Sequence, residues 1–136
     1  MKKIVSTSNA PAAPTLLSQA ILDSSKYRLE ISGQIGLNPV VGKLVEGGIE
    51  AETIQTLKNV EAILAEVGWT FEHITKVRIY LVDMADYAKV NEVYATKFKT
   101  NLPTRITLAV KSLPLGALVE IESVAAGDEV TESYTA

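Results

Sequence analysis

The chain contains no cysteine and a single histidine, His73, among its 136 residues. Without cysteine there can be no disulfide, no thiolate nucleophile and no thiolate metal ligand. One histidine also excludes a multi-histidine metal site. Any catalysis must therefore depend on carboxylates, arginine, lysine, hydroxyl groups and the backbone, and we expect His73 to be an exposed turn residue without a functional role.

Aromatic residues make up only 6% of the sequence, and no apolar run approaches the roughly 20 residues of a membrane-spanning helix. Thirteen lysines and arginines against 16 acidic residues give a net charge of −3, which disfavours nucleic acid as a partner. The start turns polar after Ile4 and Val5 and lacks the apolar core of a signal peptide, so we expect a cytoplasmic protein with no membrane partner. The length fits one domain.

Two helical patterns lie between segments of alternating hydrophobicity. Apolar residues recur every three or four positions over 51–67 and again over 84–99, which predicts two amphipathic helices. Gly68 is expected to end the first helix, and Asp83 or Asp86 to cap the second. Strands are predicted over 2–6, 17–23, 27–32, 75–82, 105–111 and 118–125.

This order of elements predicts an α+β fold, with a single mixed β-sheet of about six strands and two helices packed on one face. The predicted domain spans residues 1–126. The tail at 127–136 is polar, acidic and without periodicity, and we expect it to be poorly ordered.

The face of the sheet that the helices leave open is where functional side chains are expected. In the strand predicted over 105–111, alternation assigns Ile106 and Leu108 to the core. It assigns Arg105 and Thr107 to the open face, and Glu120 of the last strand lies on that face too. A solvated face with cross-strand ion pairs would explain these charges without any function. Alternatively, the Arg105 guanidinium could bind the carboxylate of a small substrate while Glu120 holds a water molecule beside it. Such a pair would suit hydrolysis of a small acid.

Three short motifs occur in a distinctive order along the chain. Ser32-Gly33-Gln34-Ile35 comes first and Pro103-Thr104-Arg105 follows. Glu120-Ile121-Glu122 comes last and lies within the last predicted strand. Asn91 and Tyr94 lie between them. This combination, spread over nearly the whole predicted domain, resembles the Rid family, also called YjgF-like proteins or reactive-intermediate imine deaminases.

The resemblance implies a chorismate-mutase-like fold assembled as a homotrimer, with the open sheet faces forming a central barrel and ligand sites in clefts between subunits. It also implies hydrolysis of imines and enamines such as 2-aminoacrylate to 2-keto acids and ammonia, without a metal or an organic cofactor. Arg105 is similar to the family arginine that clamps the substrate carboxylate, and Glu120 to the glutamate that positions the attacking water. Ser32, Gly33 and Ile35 would line the cleft, although a sheet bend is an equally good explanation of Gly33.

Two positions depart from the family pattern. Active relatives usually carry a tyrosine whose hydroxyl reaches the pocket, and Leu17 stands near that place here. Leu17 would either favour imines of larger aliphatic amino acids or mark a loss of turnover. Thr107 replaces a frequent cysteine and keeps a small polar group at the substrate-binding position.

Two other functions remain open on the sequence. One is a non-catalytic protein that binds small carboxylates such as keto acids. The other is the family's older label, an L-PSP endoribonuclease or translation inhibitor. That function would need a basic surface for RNA, which the net charge does not support.

Overall fold

The structure, a computed structural model, describes residues 1–136. Its strands are β1 Lys2–Val5, β2 Ala20–Asp23, β3 Tyr27–Gln34, β4 Leu37–Asn38, β5 Lys43–Leu44, β6 Ile74–Leu81, β7 Thr104–Ala109 and β8 Val119–Gly127. Its α-helices are α1 Gly48–Glu66 and α2 Tyr87–Tyr94.

Four strands form the central sheet, in the order β3–β8–β6–β7. β6 and β7 are parallel, whereas β8 is antiparallel to both of its neighbours, so the sheet is mixed. Both helices contribute to one hydrophobic core on one face of this sheet, which confirms the predicted α+β class. The strand count differs from the expected six in one sheet, because β1 pairs only with β2, and β4 only with β5.

The backbone of the link between β2 and β3 donates two long-range hydrogen bonds. The Ser24 N–H donates to the carbonyl oxygen of Met1 at 2.9 Å, which extends the pairing of β1 with β2, and the Lys26 N–H donates to the Asp128 carboxylate at 3.0 Å. β2 does not pair with β3.

The apolar stripe of α1 packs against the sheet as the periodicity predicts. Leu57, Val60 and Leu64 are at most 1% exposed and belong to the same cluster as Ile79 and Ile121 of the sheet. Burial of each such side chain contributes roughly 1.5–3 kcal/mol. The helix ends just before Gly68, which has a φ of +83°.

The alternation in β6 and β8 is confirmed. Val77, Ile79 and Leu81 of β6, like Val119 and Ile121 of β8, are buried on the face covered by the helices. The intervening residues of both strands lie on the open face.

The face assignment of β7 is wrong. Register pairs Arg105 with the buried Val77, so Arg105 and Thr107 lie on the helix-covered face. Ile106 and Leu108 lie on the open face and are 47% and 45% exposed. Alternation tells which side chains share a face, but not which face another element covers.

α2 is shorter than the predicted helix over 84–99. A 3₁₀ turn at 84–86 precedes it, and the Asp83 carboxylate accepts the Ala85 N–H at 2.9 Å, which confirms Asp83 as a cap. The helix ends at Tyr94. Neither helix has the length and the apolar run needed to cross a membrane.

The C-terminal tail packs against the end of α1 through backbone and side-chain hydrogen bonds. The Thr131 N–H donates to the Val67 oxygen at 3.1 Å, and Thr131 Oγ1 donates to the Glu66 oxygen at 2.9 Å. Trp69 Nε1 donates to the Glu129 oxygen at 2.6 Å. Carbonyl groups at a helix end lack intrahelical donors, so the tail satisfies groups that the sequence pattern leaves unpaired.

We expect His73 to make folding stability depend on pH. Its Nδ1 accepts the Thr70 N–H at 3.1 Å, and its ring stacks on Trp69 with centroids 5.0 Å apart. Burial, together with the charge of Lys2, lowers the pKa of His73. The unfolded chain therefore binds this proton more readily. We expect the contribution of His73 to the free energy of unfolding to be complete above the ordinary histidine pKa of about 6.5. The free energy of unfolding should then decrease as the pH falls below that value.

Urea denaturation between about pH 7.5 and 5 measures this dependence, with His73→Gln as the variant that cannot titrate. We expect the variant to have the shallower slope. A wild-type stability that rises on acidification over this range contradicts the prediction.

Candidate functional site

Arg105 of β7 points toward α2 and lies among three side chains of that helix. Its Nη2 donates to Asn91 Oδ1. Its Cζ lies 4.6 Å from the centre of the Tyr94 ring and 5.7 Å from that of Tyr87. Its Nε donates to Thr107 Oγ1 at 3.2 Å. We call Tyr87, Asn91, Tyr94 and Thr107 the Arg105 cage.

The Arg105 cage contains no negative charge. The ion pairs of the chain involve other cations, and no carboxylate oxygen comes within 4.0 Å of the guanidinium. Burial lowers the pKa of Arg105, an effect that the neighbouring Tyr94 and Tyr87 partly oppose. Its Nη1 is buried without a hydrogen-bond partner. A half-buried cation with only neutral partners keeps its attraction for an anion.

Tyr94 shows the same lack of partners. Its hydroxyl is buried without a hydrogen bond, and burial raises the pKa of this phenol. The ring stacks on Phe98 with centroids 4.0 Å apart. The hydroxyl stays protonated and neutral near neutral pH, so it adds no charge that could compensate Arg105.

Glu120 lies on the opposite, open face of the sheet, where register places it beside Tyr80. Gly33 of β3 is its close neighbour, since a Cβ at Gly33 would lie 2.9 Å from Glu120 Cδ. The pairing of β3 with β8 also shifts between Ile31 and Gln34, which marks a bulge. Gly33 thus lies at an irregularity of the sheet, in line with the sheet-bend explanation, and its lack of a side chain leaves space for the Glu120 carboxylate.

Ser32 and Ile35 flank Gly33 in the chain. Ser32 is exposed and lines a polar cavity of about 410 Å³ on the open face. Ile35 lies in the loop before β4, which α1 holds in place because Asn59 Nδ2 donates to the oxygens of Ile35 and Leu37 at 3.1 and 2.9 Å. Ser32 therefore lies on the open face, which Glu120 shares, whereas the contact that holds Ile35 comes from α1.

Leu17 lines a different cavity, of about 290 Å³, together with Pro14, Lys99 and Leu102. The adjacent Ser18 holds this segment, since its N–H donates to the Pro103 oxygen at 3.2 Å and its hydroxyl donates to the Leu102 oxygen at 2.5 Å. Arg105 and Glu120 do not line this cavity. Within one chain, Leu17 is therefore not part of the surroundings of either predicted catalytic residue.

The predicted placement of Arg105 and Glu120 on one face is wrong. Arg105 faces α2, Glu120 faces away from the helices, and β6 separates their strands. Neither residue lines any of the four main cavities, whose volumes range from 120 to 420 Å³. No group of three or more histidine, aspartate or glutamate side chains is placed to hold a metal ion. A single chain therefore does not bring the two groups to one ligand.

The Arg105 cage on α2 was not predicted from the sequence. The pattern predicted a helix over 84–99, with Asn91 and Tyr94 between the family motifs, but no contact of this helix with Arg105. The available signal was the spacing of Tyr87, Asn91 and Tyr94, because residues four and three apart share one helix face. A polar Asn91 in the middle of an apolar stripe requires a buried partner, and Arg105 is that partner.

Solved structures with this architecture define the class as small α+β proteins of Rid type. A Rid-family protein of Yersinia pestis matches with a TM-score of 0.82 at 27% identity, over 92% of this chain and 98% of that one. Yeast Mmf1 matches with a TM-score of 0.71 at 38% identity, over 94% of this chain and 100% of that one.

Sequence comparison gives the family itself. The family described as Endoribonuclease L-PSP matches residues 7–127. The chain is 44% identical to 2-iminobutanoate/2-iminopropanoate deaminase of Rattus norvegicus over 126 residues, or 92% of this chain and 90% of that protein. It is 47% identical to a RutC family protein of Aquifex aeolicus over 123 residues, or 89% and 96%. The chain therefore belongs to the Endoribonuclease L-PSP family, which confirms the resemblance to Rid proteins.

Proposed function

We propose that this protein hydrolyses reactive 2-imino acids and their enamine tautomers, such as 2-aminoacrylate, to 2-keto acids and ammonia, in the cytoplasm. The observation that carries the proposal is the half-buried Arg105 without a counter-charge, because every substrate of this class bears a carboxylate. Relatives of 43% to 44% identity that are named 2-iminobutanoate/2-iminopropanoate deaminase support the same chemistry.

Arg105 binds the substrate carboxylate in this proposal. A guanidinium offers two parallel donors that match the two oxygens of a carboxylate, a geometry that lysine cannot provide. Nη1 has no protein acceptor to give up. Nη1 is enclosed in the single chain, so the surroundings of Arg105 must open on that side for the ligand to reach it, while Nη2 and Nε keep their contacts with Asn91 and Thr107.

Glu120 holds the attacking water. The water oxygen adds to the imine carbon, one water proton passes through the carboxylate to the imine nitrogen, and the carbon–nitrogen bond of the resulting carbinolamine then breaks. The second water proton passes from the new hydroxyl to the leaving nitrogen, so that one imino acid and one water give one keto acid and one ammonia. A carboxylate in such a role contributes typically 10²- to 10⁴-fold to a rate.

The two halves of the site come from neighbouring protomers. Since Arg105 and Glu120 lie on opposite faces within one chain, one ligand meets both only where the helix-face edge of one chain approaches the open face of another. Thr107 then lies on the Arg105 side of the cleft, and Ser32, Gly33 and Ile35 on the Glu120 side. Following the family resemblance, we propose that the assembly is a homotrimer.

The open face has apolar residues suited to such an assembly. Ile106 and Leu108 are exposed in the single chain, although a strand with this composition usually buries them. We expect Leu108→Glu to shift a wild-type trimer toward monomer and to lower activity while Arg105 is untouched, because an unpaired charge in a buried contact costs several kcal/mol.

Sedimentation equilibrium measures this shift. Ile54→Glu on α1 is the matched control, since Ile54 is 46% exposed and Leu108 45%. Unchanged association of the Leu108→Glu variant, or a monomeric wild type with full activity, would count against the divided site.

Removal of Arg105 tests the proposed function directly. With an amino-acid oxidase that generates the imine, we expect the wild type to accelerate keto-acid release and Arg105→Ala to lower kcat/KM by at least about 30-fold, since a buried charge pair is lost. Lys58→Ala, at an exposed lysine of α1, is the control for the loss of one positive charge.

The same assay, combined with calorimetry of 2-ketobutyrate binding, separates turnover from binding. Wild-type protein that binds 2-ketobutyrate through Arg105 but accelerates no imine would support the non-catalytic alternative, which Leu17 favours. Leu17→Tyr would then be expected to raise the rate. No acceleration with any amino acid and no carboxylate binding would overturn both functions.

Gly33→Ala tests the role of Glu120. The added Cβ would overlap Glu120 Oε2, and the end of that flexible side chain would have to move. We expect a lower kcat with a melting temperature close to wild type. If Gly33 acts through Glu120, the substitution should add little in a Glu120→Gln background, and fully additive losses would contradict this explanation.

A further inference from the structure

Three side chains of α2 surround Arg105, and none of them can neutralise it. Tyr87, Asn91 and Tyr94 occupy positions i, i+4 and i+7, so they share one face of the helix. Asn91 accepts a hydrogen bond through its amide oxygen, and the two tyrosines present their rings. The remaining partner, Thr107, accepts through a hydroxyl.

The one acidic residue of α2, Glu92, forms an ion pair with a lysine and not with Arg105. Glu92 follows Asn91 directly, yet its carboxylate lies 3.3 Å from Lys89 Nζ and not beside Arg105. The same lysine lies 3.8 Å from Glu50 of α1. The acceptor in contact with Arg105 is therefore an amide, although the neighbouring position carries a carboxylate.

We infer that Asn91 is a positioning residue whose neutrality determines anion binding, because it orients the Arg105 guanidinium and leaves its charge free for the substrate carboxylate. An aspartate has the same shape and could accept the same hydrogen bond. It would also supply an internal counter-ion, and the substrate would then compete with it for one cation. The inference rests on the proposed function for the identity of the ligand, but not for the presence of an anion site.

Two substitutions at one position separate charge from positioning. We expect calorimetry to show that Asn91→Asp binds 2-ketobutyrate at least about tenfold more weakly than wild type, since an added charge within hydrogen-bond distance acts strongly at a half-buried site. Asn91→Ala loses the acceptor but adds no charge, so it should bind more tightly than Asn91→Asp. In steady-state kinetics the Asn91→Asp defect should lie mainly in KM.

A role in holding the side chain alone predicts the reverse order. In that case Asn91→Asp, which keeps the acceptor oxygen, would bind as well as wild type and better than Asn91→Ala. That result would overturn the inference. Asn9→Asp, at an exposed side chain that makes no hydrogen bond, is the control for one added negative charge and should bind like wild type.

Thr107 gives a second pair of variants, so that misfolding at Asn91 does not leave the inference untested. Thr107→Asp introduces a carboxylate on the other side of the guanidinium, and Thr107→Val is its neutral match. We expect Thr107→Asp to bind 2-ketobutyrate more weakly than Thr107→Val, and equal or tighter binding would count against the inference.

The proposed function can fail separately from this inference. If no variant and no wild-type preparation accelerates imine hydrolysis, but carboxylate binding follows the expected order, the deaminase proposal fails and the role of Asn91 is supported. If the wild type deaminates imines while Asn91→Asp retains wild-type KM and affinity, the function is supported and the inference is overturned.

Discussion

A cation that is half buried against a helix without a counter-charge is the interaction on which the rest of the site depends. Withdrawing a guanidinium from water costs free energy that no protein carboxylate offsets here. The rings of Tyr87 and Tyr94 and the amide oxygen of Asn91 offset part of that cost. A bound anion would offset more of the cost of withdrawing the guanidinium from water. The contact of Arg105 with α2 therefore bears both on the packing of the helix and on the affinity for a ligand.

The register of the sheet couples assembly to chemistry. Tyr80 of β6 is paired with Leu108 of β7 on one side and with Glu120 of β8 on the other. An exposed apolar side chain and the proposed water-holding carboxylate thus lie in one row across the open face. A neighbouring chain that covers Leu108 also comes close to Glu120. In the proposed trimer, burial of apolar surface and completion of the catalytic pair therefore occur in the same contact.

Much of the fold could be predicted from the sequence, because burial imposes a clear period where one side of an element faces the core. The stripe of α1 and the alternation of β6 show this directly. The separation of the first hairpin and the docking of the tail could not be predicted in this way. The tail is held by individual long-range hydrogen bonds, such as that between Lys26 and Asp128, which leave no period in the sequence.

The sequence indicates residue types for a candidate site but not the geometry in which they are held. Alternation put Arg105 and Glu120 on one face because Ile106 and Leu108 have the composition of core residues, and the family resemblance then implied their roles. A strand at the edge of a sheet can show its apolar side to another chain, so composition alone cannot tell core from subunit contact. The reversed face of β7 is therefore informative. It places the cation under α2 and apolar residues outside, and in the proposed function it makes a second chain the means by which Arg105 and Glu120 reach one substrate.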